Sequence, residues 1–199
     1  RMRANGTGMT YETIQNERDS LPPLEFARER LGWWDDPGGL SLFEKRAWNA
    51  GLRAARPQGL RVQALGVAVS KDLQYSAIAA GAIDDEGNAW GKVLRHGPGT
   101  GWVLEYTKAL QDTHEAMVVV DTRSPAATLI PLMETGGIVL HPAVTVNVLD
   151  AFSRWMTRVA DGEFLYEPQP ELDEAVNQAT VRPVGERQAL GRKEGASDI

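Results

Sequence analysis

The chain has 199 residues, 42% hydrophobic and 24% charged, with 20 Gly and 11 Pro, which is ordinary globular usage and excludes collagen-like, coiled-coil and disordered classes. A formal charge of −6, from 21 Lys and Arg against 27 Asp and Glu, argues against an indiscriminate nucleic-acid binder. It leaves room for DNA chemistry, because an enzyme that gathers carboxylates around divalent cations is acidic at its site. Zero cysteine excludes disulfides and thiolate metal ligands and makes a reducing compartment the expectation. The longest apolar run, Tyr75 to Ile83, falls well short of the about 20 residues that a membrane helix needs. The first residues are not followed by the apolar stretch of a signal peptide, so no membrane is expected.

In chain order, residues 1–59 read as an arm. Leu21-Pro22-Pro23, Asp35-Asp36-Pro37-Gly38-Gly39 and Arg56-Pro57-Gln58-Gly59 punctuate two helical patches, Leu24 to Leu31 and about Ser41 to Ala55. The domain proper is expected over 60–199. Val62 to Ser70 and Gln74 to Ile83 predict strands. The Asp84-Asp85-Glu86-Gly87-Asn88 turn then returns Ala89 to His96 as the third strand of an antiparallel meander. Gly97-Pro98-Gly99-Thr100-Gly101 leads into a helix marked by Val103, Tyr106 and Leu110. The uniformly apolar Ala116 to Val120 predicts a strand buried on both faces, ended by Asp121.

A helix is predicted from about Pro125 to Thr135, a short strand at Ile138 to Leu140, and the clearest helix over Thr145 to Ala160, with Val148, Phe152, Trp155 and Val159 on one face. Phe164 to Tyr166 and a helix near Glu171 to Ala179 precede a Gly- and charge-rich end, where Ser197-Asp198 would cap a further helix. Three antiparallel strands followed by right-handed strand-helix crossovers give an α/β mixed sheet flanked by helices, the ribonuclease H-like layout.

Carboxylates are the chemistry that survives inspection. Asp121 stands immediately past a central strand, at the edge where open α/β sheets gather ligands; it would equally open a turn or cap the helix at Ser124-Pro125. Asp198 alone reads as an N-cap, Asp173 as a helix start, and Asp84, Asp85 and Glu86 as a solvated turn. The 97–101 loop lacks the Gly-Lys-Ser/Thr of a phosphate loop. His96, His114 and His141 lack metal-ligand spacing, and no Gly-x-Ser-x-Gly elbow is present.

These residues together resemble the nuclease half of the large terminase subunits of tailed bacteriophages. The likeness runs through Leu24-Glu25-Phe26-Ala27-Arg28-Glu29-Arg30-Leu31-Gly32 with Trp34-Asp35, Val118-Val119-Val120-Asp121-Thr122-Arg123-Ser124-Pro125-Ala126, and Gln169-Pro170-Glu171-Leu172-Asp173-Glu174-Ala175-Val176. It continues through the closing Gly191-Arg192-Lys193 and Ala196-Ser197-Asp198-Ile199. The resemblance makes residues 1–59 a linker from an ATPase domain of the same polypeptide. It implies a metal-dependent endonuclease that cuts concatemeric double-stranded DNA with two Mg²⁺ or Mn²⁺ ions held by three acids. The second acid falls on Asp121 and the third on Asp198. The first belongs in Gly66-Val67-Ala68-Val69-Ser70, where the family reads Gly-Val-Asp-Val-Ser and this chain has Ala68.

That departure implies an inactivated nuclease, by deliberate replacement in the favoured reading or by natural variation. The alternative that Asp72 is the first acid places it in a turn beyond Ser70. Arg123, Arg182, Arg187, Arg192 and Lys193 are the candidate DNA contacts; the last four, with Glu186 and Glu194, give residues 182–194 a local charge of 4 − 2 = +2. The implied partners are the portal and the small terminase subunit, in the host cytoplasm during assembly. Two other readings stay open: a resolvase-like nuclease of the same fold, and a catalytically silent module that docks DNA or the portal.

Overall fold

Leu65, Val67 and Val69 alternate with Ala64, Gly66 and Ala68, and that period of two makes β1 (Ala64–Val69) the centre of the fold. The computed structural model describes residues 42–191. The helical patch at 24–31 and the expected site residues Arg192, Lys193 and Asp198 lie outside the described residues. β1 pairs antiparallel with β2 (Tyr75–Ile83), and β2 with β3 (Ala89–Pro98), forming the expected meander. On its other side β1 runs parallel to β4 (Met117–Asp121), which runs parallel to β5 (Leu140–Ala143). β6 (Phe164–Tyr166) joins β3 in parallel, giving the order β5-β4-β1-β2-β3-β6. This is the ribonuclease H-like mixed sheet, with β2 its one antiparallel member among the described strands.

One face is sealed by α1 (Val103–His114), a 3-10 turn (Pro125–Leu129) and α2 (Ile130–Thr135). Leu65, Val67, Val69, Ile78, Val118 and Val120 pack there against Val103, Ala126, Met133 and Ile138. Each fully buried side chain of this kind contributes about 1.5–3 kcal/mol. A second cluster gathers Phe43, Trp48, Val159, Tyr166 and Val176. Its members come from α3 (Thr145–Ala160), α4 (Pro170–Gln178), β6, the helical turn Lys45–Ala50 that precedes the sheet, and Phe43 just before that turn. Part of the stretch assigned from sequence to the arm is thus built into this cluster, and Leu52 bridges to Tyr166.

Four local expectations change. β4 is buried on one face only, Met117 being 49% exposed on the other, because helices seal a single side of the sheet there. The helix expected over 125–135 breaks at Leu129: Pro131, which has no N–H to donate, fits the first turn of a new helix and not the interior of a continuous one. The strand expected at 138–140 shifts to Leu140–Ala143 while Ile138 enters the core; Pro142 is tolerated because β5 is an edge strand. The Gly- and charge-rich end contains a hairpin of β7 (Thr180–Val184) and β8 (Arg187–Gly191). Its two-residue turn opens on Gly185 at φ +61°, a conformation that glycine adopts without strain.

Candidate functional site

The parallel register between β1 and β4 pairs Val67 with Val120, both buried in the core. The next step along both strands sets Ala68 beside Asp121 on the opposite face, at the carboxyl ends of adjoining strands. Adjacent strands lie about 4.8 Å apart, so the methyl of Ala68 and the Asp121 carboxylate are immediate neighbours. The same level of the sheet continues through Ala143 on β5, paired with Asp121, and through Ala77 and His96, paired across β1, β2 and β3.

Asp121 is held by a local turn. Its Oδ1 accepts the Arg123 N–H at 2.8 Å, and its main-chain carbonyl accepts Ser124 Oγ at 2.9 Å. Thr122 anchors the turn to β5, donating N–H and Oγ1 to the Ala143 carbonyl at 2.9 and 3.0 Å. The second carboxylate oxygen of Asp121 has no hydrogen-bond partner among the described residues and is free to take a ligand. Asp121 therefore opens a turn, as its ordinary reading has it, and still presents an oxygen at the sheet edge.

Three other acids among the described residues, Asp72, Asp84 and Asp173, are occupied. Asp72 accepts Ser70 Oγ at 2.6 Å and the Gln74 N–H at 3.0 Å, closing the β1–β2 turn around Leu73 at φ +63°. The Ser70 hydroxyl, then the Gln74 amide, hold its carboxyl below the ordinary range. Asp84 gathers the Trp90 indole at 2.9 Å, the Asn88 and Glu86 amides, and the Asn88 side chain. Asp173 accepts the Trp48 indole. Each braces a turn or a packing contact.

Among the candidate cations, Arg123 is exposed beside Asp121 and Arg182 is exposed on β7. Arg187 is committed elsewhere, its guanidinium 2.6 Å from Asp150 on α3. Tyr75 and His96 stack at 5.6 Å on the same face as Ala68. Sequence inspection passes over this pair, since only the β2–β3 register shows that it shares a level with Asp121. Among the described residues no three Asp, Glu or His side chains converge. Among the described residues, one hard oxygen donor facing a methyl suits a single ligand position of a hard divalent cation.

No protein-family profile and no curated protein sequence matches the chain. Solved structures do. The large terminase nuclease from thermophilic phage G20c superposes with a TM-score of 0.60 at 16% identity, covering 80% of this chain and 92% of that one. The same nuclease with bound magnesium gives 0.54 at 17%, covering 73% and 79%. The HK97 bacteriophage large terminase gives 0.62 at 11%, covering 98% of this chain and 49% of that one. This chain has the fold of a large-terminase nuclease domain. It spans about half the length of the HK97 terminase.

Proposed function

We propose that this chain is the nuclease module of a phage DNA-packaging terminase, directed at double-stranded DNA, and that Ala68 leaves its metal site one carboxylate short. The observation that carries the reading is the adjacency of Ala68 and Asp121 at the ends of parallel strands, on a fold whose neighbours are terminase nucleases, one with bound magnesium. Two divalent ions would supply Lewis-acid stabilisation of the phosphodiester and an activated water. Of this chain's own residues, Asp121 would hold a cation through its free oxygen, Asp198 would supply a second carboxylate, and a methyl stands where the third belongs. Arg123, two residues from Asp121, would contact the DNA backbone, an interaction that positions without reading sequence. The ATPase domain of the same polypeptide, the portal and the small terminase subunit would choose where and when cutting occurs in the host cytoplasm.

The test is the Ala68→Asp variant of the full chain. It is expected to nick or linearise plasmid DNA with Mn²⁺ at a rate at least 100-fold above the parent, since even the loss of groups that only orient metal ligands costs about 10- to 100-fold. Adding Asp121→Asn should abolish the gain. Equal activity of parent and Ala68→Asp would remove position 68 from the site. The methyl at position 68 also favours a second reading, a silent DNA- or portal-docking module; it predicts that Ala68→Asp neither cuts DNA nor takes up Mn²⁺ in a metal titration.

A further inference from the structure

We propose that Tyr75 and His96 form a second contact for the phosphodiester backbone, on the far side of the sheet edge from Asp121. The inference rests on the nuclease reading above and adds to it two substrate-binding residues that no acidic motif marks.

The register lays out Asp121, Ala68, Ala77 and His96 on four successive strands at one level and on one face. Three strand steps of about 4.8 Å put His96 roughly 14 Å from Asp121, which is the rise of about four nucleotides along one strand of a duplex. The two positions between carry only methyls, Ala68 half-buried and Ala77 buried at 4% exposed, so neither adds a polar group between the carboxylate and the imidazole. Tyr75, two residues before Ala77 and 43% exposed, stacks on His96 with its ring inclined by 25°. Neither the Tyr75 hydroxyl nor the His96 imidazole has a hydrogen-bond partner among the described residues.

A stacked pair serving only to pin the strand ends would work as well with two apolar rings. This pair instead holds two polar groups toward solvent at the edge where Arg123 and Lys71 also lie exposed. Tyrosine hydroxyls and ring N–H groups donate to phosphate oxygens and fix the register of a duplex without reading its bases. The stacking fixes both rings in advance, so little side-chain freedom is lost when DNA arrives.

The experiment uses the chain as it stands, because Ala68 lets binding be measured without cleavage. Fluorescence anisotropy with a labelled 30-base-pair duplex in about 50 mM salt compares the parent, Tyr75→Phe, the double variant Tyr75→Phe with His96→Leu, and Arg123→Ala. Each lost hydrogen bond is a factor of about 2 to 10 in Kd. Tyr75→Phe is expected to weaken binding two- to fivefold, and the double variant five- to thirtyfold, by the same factor on unrelated sequences. Tyr75→Phe keeps the stacked ring, so its result decides the matter if the double variant melts early. Parent-like affinity in Tyr75→Phe and the double variant, with Arg123→Ala weakened, would overturn this inference and leave the nuclease reading standing. Failure of the parent to bind duplex at all would overturn both.

Discussion

Trp48 and Asp173 stand 125 residues apart and are joined by a 2.7 Å hydrogen bond from the indole Nε1 to Oδ1. Trp48 is 5% exposed and stacks on Tyr166 at 4.3 Å in the second core cluster, so its N–H has lost contact with water and depends on that carboxylate. Asp173 also lies in the first turn of α4, where its charge meets the positive end of the helix dipole. Its conspicuous place in the acidic 169–176 segment is thereby accounted for by packing.

Replacing Asp173 by Ala leaves the buried indole donor unpaired, at a cost of about 1–3 kcal/mol. Thermal unfolding should show a clearly lowered Tm, while duplex binding of the folded protein stays at the parent level. A loss of DNA affinity without a loss of stability would move Asp173 from the scaffold to the site.

Ala68→Asp places a second carboxylate one strand step from Asp121. Two like charges about 5 Å apart repel by about 1–3 kcal/mol for effective dielectric constants between those of water and a protein surface. The variant should therefore melt below the parent in chelator, and Mg²⁺ or Mn²⁺ should raise its Tm several degrees more than the parent's, since a ligand bound only by the folded state stabilises by mass action. Calorimetry with and without metal checks this. An equal response of the two proteins would mean that the introduced carboxylate and Asp121 do not share a cation.

The sheet was largely legible because its signals are local. The alternation in 62–70, the Asp84 to Asn88 turn and the amphipathic period of 145–160 each fix an element without help from the rest of the chain. The misreadings came where distant partners decide. Pro183 and the charges of 182–187 obscure the β7–β8 alternation, yet Ala189 is buried, so the hairpin keeps one apolar contact that local composition hides. Arg187 reads as a free cation until Asp150, 37 residues earlier, is found beside it. Part of the candidate site is legible for a different reason: a strand-end carboxylate is visible in sequence and the resemblance groups position 68 with it, whereas the place of His96 at the same level is a property of register.

Three carboxylates are held below their ordinary range in the folded protein: Asp84 chiefly by the Trp90 indole, Asp72 by the Ser70 hydroxyl and Glu167 by the Lys92 ammonium. A group whose folded pKa lies below its unfolded value contributes stability that is complete above the unfolded value, about 4 for Asp and Glu. That stability disappears as pH falls through the folded value. The protein should lose Tm progressively from about pH 4 downward. Asp84→Asn should start lower at pH 7 and fall less steeply, so that its curve approaches the parent's as the medium becomes more acidic. Parallel curves across that window would assign the acid lability to other groups.

Thr107 offers the opposite sign. It is fully buried in the middle of α1, and its Oγ1 has no hydrogen-bond partner among the described residues. A buried hydroxyl that has given up water without replacement costs about 1–3 kcal/mol. Thr107→Val keeps the branched shape and the helical χ1 preference while exchanging the hydroxyl for a methyl that the surrounding Val103 side and sheet core can accept. The substitution should stabilise the protein by about 0.5–2 kcal/mol, measured as a raised urea midpoint at unchanged slope. A lowered midpoint would mean that the hydroxyl has a partner, such as a buried water, whose bond outweighs the gain in apolar contact.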